Sequence, residues 1–218
     1  DDIILLNSEV NIINYNKNTP EIFSISDLGL DLENVNIVGS DISIGINSLS
    51  GVTGFGLQID RLSSKFYMND NEMRLDNLEL ETPNSSIATD LKFSYKSGDW
   101  ADFEEKVRIT ANFDDDIVST TDLKYFYDEF GNYEELKLSG DLDGTLNNFT
   151  LKNAEISGIQ RSEIRGDIQF YNVTDGDKFT LETDYIDIST NYFDLKRLLP
   201  DILGENFPDF IKYMVTLT

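Results

Sequence analysis

Met73-Arg74-Leu75-Asp76-Asn77-Leu78-Glu79-Leu80-Glu81 is the stretch whose reading decides the fold. Apolar and polar residues alternate along it, and a period of two means a β-strand with one apolar face and one wetted face. The alternation also slips: Met73 and Leu75 hold odd positions, Leu78 and Leu80 even ones. A one-residue slip turns every later side chain to the wrong face, so a bulge or tight turn at Asp76-Asn77 must restore it.

The same alternation restarts along most of the chain. It runs through Leu28, Leu30 and Leu32 against Asp31 and Glu33, through Ile42, Ile44 and Ile46, and through Phe55, Leu57 and Ile59. Leu91, Phe93 and Tyr95 follow, then Val107, Ile109, Ala111 and Phe113. Short turns rich in Asn, Asp and Gly separate these runs: Asn69-Asp70-Asn71, Asn147-Asn148 and Asp175-Gly176-Asp177. Such spacing implies hairpins, hence a mainly all-β protein built on a long antiparallel meander. About fifteen strands at roughly 4.8 Å each would extend on the order of 70 Å.

Two segments depart from the strand rhythm. Asp122-Leu123-Lys124-Tyr125-Phe126-Tyr127 leads to Gly131, and Asp194-Leu195-Lys196-Arg197-Leu198-Leu199 leads to Gly204. Each has an Asp suited to capping, apolar residues at helical spacing and a closing Gly. Each also follows a strand end bearing Ser and Thr. The spacing predicts helical interruptions near 120–131 and 193–214, the second including a short helix started by Pro208. The recurrence points to a long repeat of several strands closed by one short helix.

Composition narrows the chemistry. Of 218 residues, 41 are acidic and 17 basic, a net charge of −24, and no basic patch is present. Nucleic acid is therefore excluded as a partner, because phosphate binding depends on clustered Lys and Arg. Cysteine and histidine are both absent, which removes thiolate chemistry, the commonest general base and the commonest metal ligand. No enzyme activity, cofactor or metal site is expected. Asp114-Asp115-Asp116 reads as a turn, and Asp141-Leu142-Asp143-Gly144 lacks the closing Glu of a calcium loop. Trp100, the single tryptophan, lies in a polar turn that it anchors on the sheet. The chain opens at Asp1 and stops within an alternating stretch, Met214 to Leu217, and reads as a piece of a longer polypeptide.

Leu78-Glu79-Leu80-Glu81-Thr82-Pro83-Asn84-Ser85-Ser86-Ile87 resembles a strand-turn-strand phrase of the AsmA-like family, closest to the TamB type of the translocation and assembly module in Bacteroidota. Leu136 to Leu151 resembles a second phrase of that family, and the short helices match its way of interrupting strands. The resemblance covers roughly Leu57 to the end. It implies a sheet curled lengthwise into an elongated groove, in a periplasmic protein anchored in the inner membrane and reaching the outer one. Such a groove carries phospholipid acyl chains between membranes, and an outer-membrane β-barrel partner docks elsewhere on the protein. The residues expected to line it are Leu57, Ile59, Leu78, Leu80, Leu91, Phe93, Val107, Ile109, Leu136, Leu138, Leu142, Ile168, Phe170 and Leu181. Two other readings of the same alternation stay open: a scaffold that receives outer-membrane strands by β-augmentation, and a closed β-sandwich adhesin or binding module.

Overall fold

The structure is a computed structural model that describes residues 2–14, 21–125, 130–132, 134–160, 162–175, 178–183, 186–198 and 200. Twelve strands follow in chain order: β1 (Ile3–Asn14), β2 (Glu21–Val38), β3 (Asp41–Thr53), β4 (Gln58–Met68), β5 (Glu72–Glu81), β6 (Ser86–Ser94), β7 (Arg108–Ser119), β8 (Glu135–Gly144), β9 (Phe149–Ser157), β10 (Glu163–Tyr171), β11 (Thr180–Glu182) and β12 (Ile186–Ser189). They form one antiparallel sheet in which spatial order is chain order, and β11 and β12 share the last position by pairing with opposite halves of β10. The meander is therefore as expected, with twelve described strands in place of about fifteen. Strands take 66% of the described residues and the helices are short, so the fold is all-β.

Bulges shape this sheet. At Asp76-Asn77-Leu78 the pairing of β5 shifts against both neighbours, β4 and β6, as the phase slip required. The same shift occurs on β7 against β8 between Phe113 and Asp116, and on β9 against β8 and β10 around Asn153-Ala154. In each case one Asn or Asp has a left-handed backbone: Asn77 at φ 51°, Asp115 at φ 58° and Asn153 at φ 51°. These residue types enter that region at least cost after glycine. The next residue, Leu78, Asp116 or Ala154, then turns inward and is buried. A bulge leaves a backbone N–H without its ladder partner, and a side chain from the following strand takes it: Asp90 accepts from Asn77 at 2.7 Å, Ser139 from Asp115 at 2.8 Å and Asp167 from Asn153 at 2.7 Å. Bulges bend and twist the strands that carry them. Repeated on alternate strands, they curl the open sheet into an elongated groove.

Asp114-Asp115-Asp116 is thus not a turn; it lies inside β7, where Asp116 is buried and accepts from the Ala88 and Asp114 amides at 2.6 and 3.1 Å. Alanine at Asp90 would take the charged acceptor from the exposed Asn77 amide and leave it to water. We expect it to cost about 1–2 kcal/mol, read as a lowered urea midpoint, whereas Asp90→Asn keeps an acceptor and most of the stability.

The helices depart in detail from expectation. α1 (Phe103–Lys106), preceded by a 3-10 turn at Asp99–Asp102, is unanticipated because its spacing is too short to register as helical. α2 (Thr120–Leu123) and α3 (Tyr192–Leu198) occupy the two expected places. Their aspartates are not caps: the Ser119 side chain caps α2 by accepting from the Thr121 amide, and the Asn191 side chain accepts from the Asp194 amide at 3.0 Å. The Pro208 helix and everything after residue 200 lie outside the described residues. Phe55 and Leu57 fall in the β3–β4 turn rather than on a strand, because the ladder of β3 ends at Thr53.

Candidate functional site

Cross-strand pairing aligns the apolar residues of one face into long rows. One row runs Ile42, Met68, Met73, Phe93, Ile109, Gly144, Phe149, Phe170 and Leu181, crossing from β3 to β11 without a charged residue. A second runs Ile44, Phe66, Leu75, Leu91, Ala111, Leu142, Leu151 and Ile168. Nearer the opposite edge, Leu5, Leu30, Leu49, Leu62, Leu80 and Ile87 form a third. The best-packed stretch is Leu151, Ala154 and Ile168, with Phe113, Leu138, Leu142, Ile156, Ile164, Phe170 and Ile186 against them. All of these belong to the one sheet. Ten apolar residues are buried among the described residues, and most of the rest of the inner face is half-buried. A single layer explains this: all described strands belong to this one sheet.

Twelve of the fourteen expected lining residues lie on this face. Phe93, Ile109, Phe170 and Leu181 sit in the first row, Leu91, Leu142 and Ile168 in the second, and Leu80 in the third. Leu78 is buried just after the β5 bulge, Leu136 and Leu138 pair with Val118 and Asp116, and Ile59 faces Gly51. Leu57 is a turn residue held through its backbone to Thr53. Val107 is the fully buried C-cap residue of α1 and cannot touch a ligand. Phe66, Met73, Phe149 and Leu151 share the rows and were missed as lining residues, although their own alternation with Lys65, Arg74, Thr150 and Lys152 carries the signal.

Helical segments build the two rims. On one, the turn after β6 folds over the first row: Trp100 stacks on Phe103 with centroids 5.6 Å apart and meets Tyr95 edge-on at 5.0 Å, while Phe103 lies 6.1 Å from Phe93. Burial raises the Tyr95 phenol above its ordinary pKa, and its hydroxyl donates to the Asn69 carbonyl at 2.7 Å. The hydrogen bond from Lys92 holds the Glu72 carboxyl below its usual value. Asn147 ties this rim lengthwise, donating to Glu105 at 2.5 Å and accepting from Thr174 at 2.9 Å.

On the other rim, Asp122 accepts from Thr82 at 2.5 Å, Ser85 at 2.6 Å and Asn84 at 3.0 Å, all in the β5–β6 turn. Asp194 repeats the arrangement on the β9–β10 turn, accepting from Ser162 at 2.8 Å as well as from Asn191 at 2.7 Å. The recurrence of helix and Asp is therefore a recurrence of one contact, a buried carboxylate on a hairpin turn. The two copies meet: Arg197 reaches Glu134 at 2.6 Å, and the Gly131 amide donates to the Leu198 carbonyl at 2.8 Å. A Cβ on Gly131 would lie 1.8 Å from the Arg197 carbonyl oxygen, so only glycine fits there. Leu198, Thr190 and Asp194 line a small cavity with Leu136, Ile156 and Ile164, so α3 lies over the apolar face at this rim.

The outer face is acidic and laced with exposed ion pairs such as Arg108–Asp143 and Arg165–Glu163. Each contributes little to stability, and together they keep that face wet. Asp141 and Asp143 belong to this surface on β8, where Asn112 and Arg108 satisfy them. Among the described residues no cluster of acids has the geometry of a metal site, and no helix is long and apolar enough to cross a membrane. No family model, curated protein or solved structure matches the chain.

Proposed function

We propose that this chain is a segment of a hydrophobic groove, of the TamB type, that conducts phospholipids across the periplasm between inner and outer membrane. The observation that carries the reading is the first row, uncharged from Ile42 to Leu181 and open to one side. An acyl chain laid along it gains about 0.8 kcal/mol for each methylene removed from water, without directional contacts. Attraction of that kind holds a lipid at many equivalent places and lets it slide. Anchoring in the inner membrane and docking on an outer-membrane β-barrel would belong to parts of the protein outside this chain. The proposed role is non-enzymatic, in keeping with a sequence that has neither Cys nor His.

One observation favours the scaffold reading as the alternative. β1 is an edge strand with Ile4 and Leu6 mostly exposed, and such an edge can accept an added strand. A sandwich, by contrast, needs a second sheet, and all described strands belong to one.

Photoreactive residues in cells separate the two. At Phe93 and Ile109 they should capture phospholipid, while the outward positions Lys92 and Thr110 should not. Capture of barrel precursors at Leu6, with no lipid at Phe93 or Ile109, would replace the conduit with the scaffold.

A further inference from the structure

We propose that α3 is a flap that an incoming acyl chain lifts from the groove, whereas α2 is a fixed brace. The inference rests on the lipid-conducting reading and adds to it a place of lateral entry. The two helices hold their rim through matching aspartates, and the two attachments are unequal. Both oxygens of Asp122 are taken, Oδ2 by Thr82 and Ser85 and Oδ1 by Asn84, and all three donors belong to the neighbouring turn. Asp194 is buried more deeply, at 1% exposed, yet its Oδ1 has no hydrogen-bond partner. Its Oδ2 accepts from Ser162 and Asn191. Asn191 caps α3 itself and moves with it. Among the described residues, Ser162 is therefore the one side chain of the β9–β10 turn that holds this carboxylate.

The other attachments of α3 part readily. Arg197, half-exposed, meets Glu134 in an ion pair that salt weakens, and one backbone hydrogen bond joins Gly131 to Leu198. In α2, by contrast, Thr120 is fully buried; its amide donates to the Glu134 carbonyl and its hydroxyl accepts from the Glu134 amide. A buried carboxylate oxygen without a donor carries its full desolvation cost, and lifting α3 returns that oxygen to water. The same motion uncovers Leu136, Ile156 and Ile164, which border the small cavity under α3. Ile156 and Ile164 pair across β9 and β10, so an acyl chain entering there lies directly on the apolar face. Burial of its methylenes offsets the contacts that α3 gives up.

Ile159, buried beside the cavity, stands three residues before Ser162, as Thr82 stands three before Ser85. Ile159→Thr offers Asp194 the missing hydroxyl, and Ile159→Val matches it in size without one. Amide exchange is followed over 196–198 in α3 and over 124–125 at the end of α2. We expect the threonine variant to exchange about tenfold more slowly in α3 than the valine variant, with α2 unchanged. Dihexanoyl phosphatidylcholine, added to the unaltered chain below its micelle concentration, should speed exchange in α3 about fivefold and leave α2 as it was. Exchange in α3 that is no slower with threonine than with valine, or no faster with the lipid, overturns the flap. A photoreactive group at Ile109 runs in parallel. Capture of this lipid with unchanged exchange in α3 keeps the conduit and removes the flap; no capture removes both.

Discussion

Asp122→Ala should be strongly destabilising, costing about 2–4 kcal/mol. The carboxylate is buried and takes hydrogen bonds from Thr82, Asn84 and Ser85 at once. Removing it strands the buried Ser85 hydroxyl, at about 1–3 kcal/mol, and takes the acceptor from the half-buried Thr82 and the exposed Asn84. Ser85 also receives the Ser119 amide at 2.9 Å, so its loss propagates to the start of α2. The measurement is a urea midpoint together with amide exchange over 82–86 and 119–123. A change below about 1 kcal/mol would mean that α2 is held by something else. Asp194→Ala should cost less, because only Ser162 and Asn191 donate side-chain hydrogen bonds to it among the described residues.

Under the proposed conduit role, Leu142→Arg should reduce lipid passage at least tenfold while leaving the sheet folded. Leu142 sits mid-row between Ala111 and Leu151, and it is half-buried. A half-buried Arg can direct its guanidinium toward the groove opening and spare the fold, but an acyl chain crossing that level must desolvate it. A penalty of about 1.4 kcal/mol already slows passage tenfold, and desolvating a charge costs several. Vesicle-to-vesicle transfer by the full-length protein is the readout. Thr110→Arg, on the outer face beside Asp143, is the matched control and should transfer normally. Equal transfer by both variants would mean that lipid does not travel along this row.

The sheet was legible because its signal is local. Alternation along Leu91 to Tyr95 or Ile109 to Phe113 states which face is apolar, and Asn69-Asp70-Asn71 states where the chain turns. The β5 bulge was legible for the same reason, since Leu75 and Leu78 are out of phase. The β7 bulge was not. There the inward residue after the bulge is Asp116, a carboxylate in an apolar row, and its acidity made the whole triplet look like a turn. What makes Asp116 acceptable is the Ala88 amide of another strand, and nothing near Asp116 in sequence announces it. The same limit explains Asp122 and Asp194. Their spacing before a helix suggests a cap, and only the neighbouring hairpin turn reveals their actual partner. Val107 kept the right phase but lost its place on the groove, because it ends a short helix with little periodicity of its own and is fully buried there.

The left-handed bulges at Asn77, Asp115 and Asn153 stand on alternate strands, and each is completed by a side chain from the strand that follows. From β5 to β10 the unit is therefore a pair, one strand that kinks and one that supplies the acceptor, whereas the adjacent β1 and β2 both carry left-handed residues, Asn7, Asp27 and Asn34. A lineage lengthening or shortening this protein by single strands would leave a kink without its acceptor and invert the polarity of all that follows. Change by whole hairpins keeps both. Reach can then evolve in increments of about 10 Å, twice the strand spacing, with the cross-section untouched at every step. Homologous proteins of different length should differ by even numbers of strands over this part of the sheet.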